Sequence, residues 1–437
     1  MNYNKLFLIG IFSGLSIFSI CAQPIKCLSV NELFDIGIEN SLYIQASRMN
    51  VDIAADKEES SKMVQFPDVS VSAVGGYLGQ PTIFTRGLSG TVHPDFPKWL
   101  QEYSVTVTQP LYTGGKIKHN IEKSALEKQI AGLNLEKDKA DVKLSLMSKY
   151  LDLFRLYKQK EVLMHHINDA EQRLHDIRKM KDEGMLTLND VLRSEIQLTN
   201  YQLAIRETDD DISIASRQLD VALGLDEDLL LMPDTTLLEE AYPILSYEEY
   251  VARAYRLYPE LRIAQSEIDL AKKNVQLLKG DYLPSVFLQA GNTLERPITN
   301  VDPPLDMFLN SWNISLVFSY KFSSFYKNRP NVSAAKRAVL MHKTMEEKQL
   351  QDIRVNMKAA FVKHREALDR IELLTGSVRQ ANENFRIVQN RYFNQLAVLT
   401  DLLDAGNVKL DAELQLTAAK AGAVYTYYQL LRLSGGL

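Results

Sequence analysis

The chain has 437 residues, of which 46% are hydrophobic and 24% are charged, and its formal net charge is −5. Beyond residue 20, no stretch approaches the roughly 20 consecutive apolar residues that a membrane-spanning helix needs, which excludes a polytopic helical membrane protein. The mild acidity argues against a nucleic-acid-binding protein. Glycine and proline number 20 and 14 and are clustered, so long uninterrupted helices and strands are expected.

Residues 1–22 are predicted to be a signal peptide. Lys5 precedes an apolar stretch from Leu6 to Ile20, and a small-residue cleavage site lies before Gln23. The alternative, a membrane anchor, is disfavoured because the stretch is short. Cys21 leaves lipidation open as a second alternative, although the isoleucine before it does not suit a lipobox. Removal of this segment leaves Cys27 as the only cysteine, so no intrachain disulfide is possible.

The rest of the chain is interpreted as two copies of one structural unit. Similar helical segments open at Leu28-Ser29 and at Leu245-Ser246, and matching motifs follow in both halves at a nearly constant separation. The predicted domains are a first repeat over 23–227, a linker over 228–244 and a second repeat over 245–437.

Two stretches in each repeat alternate apolar and polar residues, which predicts β-strands near 69–78, 103–111, 286–293 and 312–322. Strands of about ten residues with one apolar face are typical of transmembrane β-barrels, and a soluble β-sandwich is the alternative. Four strands are too few to close a barrel, which needs about eight, and open edges in lipid would leave backbone groups unpaired. Several chains must therefore share one barrel. The clearest lipid-facing series is Trp312, Ile314, Leu316, Phe318 and Tyr320.

Heptad patterns predict two long helical hairpins, at 116–223 and 330–433. Apolar residues recur at spacings of three, four and seven from Leu126 to Phe154, and Ile353 to Val378 repeat the pattern. A helix of about 70 residues is on the order of 100 Å long at 1.5 Å rise per residue. Because no compact domain needs such a helix, a rod or a tube is expected.

Several motifs occur in the same order in both halves. Residues 109–115, Gln-Pro-Leu-Tyr-Thr-Gly-Gly, join a predicted strand to a long helix, and residues 178–192 contain Gly184 at a helical turn. Arg391-Tyr392 followed by residues 401–405 forms the second copy of that turn. Together these motifs resemble the TolC-like outer-membrane efflux proteins, or outer membrane factors.

The resemblance implies a fold that is mainly α with a small membrane β part. It implies two tandem repeats of helix, β-hairpin and long helical hairpin. Three chains would assemble into a 12-stranded β-barrel in the outer membrane of a Gram-negative bacterium, continuous with a coiled-coil α-helical barrel in the periplasm. Residues 80–98 and 295–310 would then form the extracellular loops.

The resemblance also assigns roles to individual residues. Asp401 and Asp404 match acidic rings at the periplasmic aperture, where threefold symmetry would place six carboxylates that attract cations. Asp190 and Tyr392 match a closed-state lock between helical hairpins. The barrel-to-tunnel junction would be formed by Pro110, Gly114 and Gly115, and the adaptor-docking hairpin tips by Gly184, Met185, Leu186, Thr187, Gln395, Leu396, Ala397 and Val398.

Alternatives to these roles stay open. Asp401 and Asp404 are also the kind of acids that the helix macrodipole favours near an N-terminus, and Asp190 and Tyr392 are also compatible with ordinary surface polarity at a helical tip. The chain departs from the family pattern at two points. Gln395 stands where the second turn usually has glycine, and the end of the last strand lacks a proline equivalent to Pro110.

The function that the resemblance implies is a passive outer-membrane exit duct of a tripartite efflux or type I secretion system. Its partners would be two further copies of the chain, outer-membrane lipid, a periplasmic adaptor and an inner-membrane pump of the RND, ABC or MFS type. No catalytic set, metal site or cofactor motif is found, so an enzyme is not expected. His165, His166 and His175 are interpreted as helix surface or packing residues. A surface-anchored trimeric coiled-coil stalk or adhesin is the alternative.

Overall fold

The computed structural model describes residues 25–226, 229–234, 245–301 and 304–437. The predicted signal peptide, with Cys21, lies outside the described residues. Among the described helices, none is both long enough and apolar enough to cross a bilayer. The chain is mainly helical with a small β part, as expected.

The elements follow in chain order. The strands are β1 (Ile25–Leu28), β2 (Asp68–Tyr77), β3 (Ile83–Arg86), β4 (Ser89–Val92), β5 (Trp99–Tyr112), β6 (Leu230–Pro233), β7 (Ser285–Arg296) and β8 (Leu309–Ser319). The helices are α1 (Val30–Asn40), α2 (Leu42–Met63), α3 (Lys116–Asp182), α4 (Leu188–Leu223), α5 (Tyr247–Leu257), α6 (Pro259–Lys279), α7 (Ser324–Lys327), α8 (Arg329–Phe393) and α9 (Leu399–Leu433).

The chain divides into two compact units. Unit 1 comprises Met1–Gly37, Leu146–Glu240 and Arg370–Gly422, and unit 2 comprises Ile38–Ser145, Ala241–Asp369 and Ala423–Leu437. Each unit is therefore assembled from segments that are far apart in the sequence.

Unit 2 contains a four-stranded antiparallel sheet in the order β2-β5-β7-β8. The register aligns Val71, Val105, Asn292 and Trp312 across the four strands, and the next row on the same face contains Val69, Val107, Ala290 and Ile314. The opposite face carries serine, threonine and asparagine, because side chains alternate along a strand. The sheet thus has one apolar face, and Trp312 on it is 74% exposed within the chain.

One lipid-facing assignment needs correction. The sequence pattern places Tyr320 in the last strand, but β8 ends at Ser319, so Tyr320 lies outside it. The Tyr320 ring instead packs edge-on against Phe322, with ring centroids 4.7 Å apart, and contacts Phe325. The apolar–polar alternation of the sequence continues past the strand, because Tyr320 and Phe322, two residues apart, belong to an aromatic cluster that lies between β8 and α7.

The helices of unit 2 share an apolar core. Ser246 begins α5 with a capping box. Its side chain accepts a hydrogen bond from the Glu249 N–H, and the Glu249 carboxylate accepts one from the Ser246 N–H. The core joins α5, α6, α8 and α9 and consists of Tyr250, Ala254, Leu261, Ile353, Met357 and Leu430. Beside it, the buried Arg432 guanidinium donates to Asp141 at 2.7 Å and to Glu260 at 2.5 Å.

Unit 1 contains a short parallel pair, β1 and β6. β6 lies inside the segment 228–244, which the sequence pattern treats as a linker, so part of that linker is a strand. The Tyr150 hydroxyl of α3 donates to the Leu28 carbonyl at 2.8 Å and accepts from the Asp234 N–H at 2.9 Å. This one phenol connects the long helix to both strands.

The junction between β5 and α3 depends on two adjacent glycines. Pro110 pairs with Phe287 near the end of β5, and a β-bulge follows before Tyr112. Gly114 and Gly115 then adopt φ values of +65° and +79°, which other residues reach only at a cost. A Cβ on Gly114 would collide with the backbone carbonyl of Gly280, whereas a Cβ on Gly115 would meet only the His119 ring, at 3.5 Å.

We expect Gly114→Ala to destabilise the protein more than Gly115→Ala. Both substitutions carry a left-handed backbone cost of about 1–2 kcal/mol, but only the first adds a clash with backbone atoms. Thermal unfolding of the purified full chain, followed by circular dichroism, measures the difference. Equal losses for the two variants would contradict the close approach of Gly114 to Gly280.

Candidate functional site

The first hairpin tip lies in unit 1, between α3 and α4. Gly184 adopts a φ of +77°, and the N–H of Met185 donates to the Met180 carbonyl at 2.8 Å. This hydrogen bond satisfies a carbonyl at the end of α3, as in a Schellman turn. The predicted turn residue Gly184 is therefore at the turn.

Asp190, assigned by resemblance to the lock, takes part in the cap of α4. The Thr187 side chain accepts from the Asp190 N–H, and the Asp190 carboxylate accepts from the Thr187 N–H at 2.9 Å and from its hydroxyl at 2.7 Å. Such a capping box pairs two donors that a helix start leaves unsatisfied. Asp190 thus has a structural role in addition to any role in a lock.

The second hairpin tip lies between α8 and α9 and repeats the same turn without glycine. Gln395 adopts a φ of +57°, and the N–H of Leu396 donates to the Arg391 carbonyl at 2.7 Å. The Arg391 side chain also donates to the Leu396 carbonyl, at 3.2 Å. The departure from glycine therefore leaves the turn geometry intact and places a strained residue at its centre.

The two tips expose side chains in the same order. Met185 and Leu396, directly after the turn residues, are exposed, whereas Leu186 and Ala397, one position later, pack against a buried cluster. Thr187 and Val398 are exposed again. The eight predicted docking residues thus include two, Leu186 and Ala397, that are partly buried against this cluster.

The buried cluster joins the four helix ends of both hairpins. It contains residues from α3, α4, α8 and α9, namely Leu174, Ile177, Val191, Phe385, Tyr392, Leu399, Leu402 and Ala405. Burial of large apolar side chains contributes about 1.5–3 kcal/mol each. The cluster therefore packs the two hairpin tips against each other.

Tyr392 belongs to this cluster and is 2% exposed. Its hydroxyl has no hydrogen-bond partner among the described residues. Burial, together with the nearby charge of Asp190, raises the pKa of Tyr392 to about 12, so the phenol keeps its proton at physiological pH. The structure brings the two predicted lock residues close enough to interact electrostatically, without a hydrogen bond between them.

Asp401 and Asp404 lie near the start of α9 and are both exposed. Leu402 and Ala405, the residues that directly follow the two acids in the sequence, are buried in the cluster. The spacing of three residues places the two carboxylates on one helical face. The apolar cluster therefore fixes the direction in which this pair of acids points.

Sequence reasoning missed a series of polar contacts between α4 and α9. Arg193 donates to the Thr400 hydroxyl at 2.9 Å, and Gln197 donates to the Asn407 side-chain oxygen at 2.9 Å. Tyr201 donates to the same oxygen at 3.4 Å. The signal was present as polar residues at helical spacing on one face of α4.

A second polar contact joins α3 to α9 deeper in unit 1. His166 is buried, and its Nε2 lies 3.0 Å from the Glu413 carboxylate. Burial disfavours the charged form of Glu413, but the hydrogen bond to His166 and the charge of Lys409 prevail and hold the pKa of Glu413 below its ordinary value. His166 thus acts in packing, and among the described residues no group of histidine, cysteine, aspartate and glutamate forms a metal site.

Comparisons with known proteins agree with these features. The family described as Outer membrane efflux protein matches residues 34–225 and 252–436. A search of curated protein sequences found no match. Among solved structures, the outer-membrane channel OprN is 17% identical and VceC from Vibrio cholerae is 15% identical, each with a TM-score of 0.75; CusC is 14% identical with a TM-score of 0.78. The aligned regions cover 93% of this chain in every case, and 90%, 96% and 92% of OprN, VceC and CusC, so the fold is shared over nearly the full length.

We expect Gln395→Gly to stabilise the protein by about 1 kcal/mol, because it removes a non-glycine residue from a left-handed conformation. The matched control is Gly184→Gln, which introduces the same strain at the equivalent turn and should lower the free energy of unfolding by a similar amount. Thermal unfolding of both full-length variants measures these changes. A loss of stability in Gln395→Gly would contradict the strained turn.

Proposed function

The chain belongs to the outer membrane efflux protein family, and from this premise we propose that it is the passive exit duct of a tripartite efflux or type I secretion system. Members of this family are outer-membrane channels of Gram-negative bacteria that work with periplasmic adaptors and inner-membrane pumps, and they are not enzymes. The substrate would be a small molecule or a protein that a pump delivers to the periplasmic end of the duct. Because the duct would hold no energy source of its own, transport through it would be passive.

The observation that carries this proposal is the sheet of unit 2. Its apolar face is exposed, and among the described residues its outer strands, β2 and β8, each pair on one side only. In lipid, unpaired backbone groups are too costly to persist. Three copies, joined β2 to β8, would satisfy both edges and give a closed barrel of twelve strands.

A gate at the hairpin tips is the second part of the proposal. Asp401 and Asp404 point away from the tip cluster, so threefold symmetry would place six carboxylates around the periplasmic aperture. Such a ring favours cations. Since the cluster packs both hairpin tips against each other, opening would move them together as a two-state packing change.

The lock would form when the Tyr392 hydroxyl donates to the Asp190 carboxylate in the closed state. A buried hydroxyl without a hydrogen-bond partner costs about 1–3 kcal/mol. Formation of a hydrogen bond by the Tyr392 hydroxyl would therefore be favourable. Besides burial, the charge of Asp190 acts on this hydroxyl and raises its pKa. A movement of α8 against α4 would form the bond.

The adaptor would dock on the exposed tip residues. Met185, Leu396 and Val398 are apolar and exposed, and paired helices offer grooves for another coiled coil. The pump would be of the RND, ABC or MFS type. The stalk or adhesin alternative is set aside because the family match extends over both halves of the chain.

We expect the double substitution Asp401→Asn with Asp404→Asn to lower the cation preference of single channels several-fold, because it removes six charges from the aperture. Reversal potentials in planar bilayers under a salt gradient measure this preference. Asp210→Asn, a single change at an exposed carboxylate of α4, is the control and should leave the preference near that of the unaltered channel. An unchanged ratio in the double variant would remove these acids from the aperture.

Tyr392→Phe should raise the closed-state conductance, because it removes the hydroxyl that would donate to the Asp190 carboxylate in the lock. Tyr201→Phe is the matched control, since it removes the hydroxyl of a buried tyrosine of α4 that donates to Asn407 at 3.4 Å and leaves Tyr392 and Asp190 in place. Single-channel recording measures the closed-state conductance of both variants, and thermal unfolding measures their stability. Unaltered conductance in Tyr392→Phe would contradict the lock.

A further inference from the structure

A pocket lies in unit 2 where β5 ends and α3 begins. α2, α3, α6 and, through α7, α8 all join the sheet at this same end of its four strands. The pocket has a volume of about 410 Å³, within the range of small-molecule sites. Its lining includes Leu111, Tyr112, Ile117, Lys118, Ile121 and Glu122, and we name it the interfacial pocket.

The interfacial pocket is continuous with the apolar face of the sheet. Tyr112 pairs with Val286, which pairs with Phe318, so these three residues form the last row of that face. Gln109 lies on the same face, and its side chain donates to the Gln65 carbonyl at 2.9 Å. A molecule in the pocket would therefore contact the end of the apolar face through Tyr112.

The charges around the pocket leave one cation uncompensated. Glu122 accepts from Lys273 at 2.9 Å and lies 3.0 Å from His119. These two hydrogen bonds lower the pKa of Glu122 to about 2, so its negative charge is permanent and already paired. Lys118 is exposed and forms no salt bridge within the part of the chain that the structure describes. The pocket thus combines apolar walls with one free ammonium group.

We propose that the interfacial pocket binds the phosphate-bearing headgroup of a phospholipid from the periplasmic leaflet of the outer membrane. Lys118 would contact the phosphate, with its carbon chain lying along the pocket wall. Leu111, Ile117 and Ile121 would cover the glycerol region, and the acyl chains would follow the apolar face past Tyr112 and Phe318. The inference rests on the proposed function, because it requires the sheet to lie in the membrane.

Two features favour a phospholipid over other occupants. Free phosphate has no apolar part that could contact the apolar walls. An amphiphile can bind the lysine through its phosphate and the continuous apolar face through its acyl chains. A second copy of the chain would join at the edge strands β2 and β8, but β5 is already paired on both sides. The end of β5 that borders the pocket therefore has no free edge for another protein strand.

The test is native mass spectrometry of the full-length assembly, extracted in mild detergent and titrated with phosphatidylglycerol. We expect one tightly bound phospholipid per chain. Lys118→Glu should weaken this binding about tenfold or more, since a hydrogen bond to a charged group contributes about 1.5–3 kcal/mol. Lys118→Gln should weaken it less, and Lys118→Arg should keep it.

Lys123→Gln is the matched control. Lys123 lies on the same helix, outside the pocket lining, and is paired with Glu127, so binding should stay unchanged. Labelling with a phospholipid that carries a photoreactive diazirine near its headgroup should mark residues 110–122. Displacement of the lipid by inorganic phosphate alone would overturn the assignment to a phospholipid.

Equal lipid binding by the unaltered protein and by Lys118→Glu would overturn the inference. The inference would also be overturned if a neighbouring copy of the chain covered the pocket and prevented its labelling by the phospholipid. Channel conductance is recorded on the same samples. An intact channel without site-specific lipid contradicts this inference alone, whereas the absence of any channel contradicts the proposed function.

Discussion

A backbone edge in lipid must be paired, and the proposed assembly of this protein follows from that constraint. The sheet β2-β5-β7-β8 has an apolar, exposed face suited to hydrocarbon, yet its two outer strands lack a second neighbour within the described residues. A single copy in a membrane would leave two rows of N–H and C=O groups unsatisfied. In the proposed assembly, a barrel shared between copies would remove both edges at once, and its symmetry would determine which residues surround the aperture.

The β5–α3 junction and the hairpin tips are under different physical constraints. At the junction, the chain must change from strand to helix within a few residues while Gly114 passes close to the Gly280 carbonyl, so backbone freedom matters more than side-chain chemistry. At the hairpin tips, an apolar cluster holds four helix ends together and directs Asp401 and Asp404 outward. This packing gives the exposed charges a defined position, as the proposed selective aperture would need.

Sequence patterns predicted the long helices and the four sheet strands because heptads and alternation extend over many residues. They did not predict β1 and β6, since four-residue strands carry no periodic signal. Alternation also extended the last strand past Ser319 to Tyr320, where aromatic packing imitates a strand pattern. The second turn was predicted from its likeness to the first. The left-handed conformation of Gln395 was not predicted, because hydrogen bonds around it impose a conformation that glutamine does not favour.

Cysteine cross-linking across the proposed barrel seams tests the central claim most directly. In a Cys27→Ser background, cysteines replace Ser70 or Ser72 in β2 together with Ser315 in β8, and mild oxidation in the outer membrane is followed by denaturing electrophoresis. The account predicts a covalent trimer for at least one pair, whereas cysteines at Ser104 and Thr293, which are register partners in β5 and β7, give only a cross-linked monomer. Monomers alone from every β2–β8 pair would contradict the shared barrel.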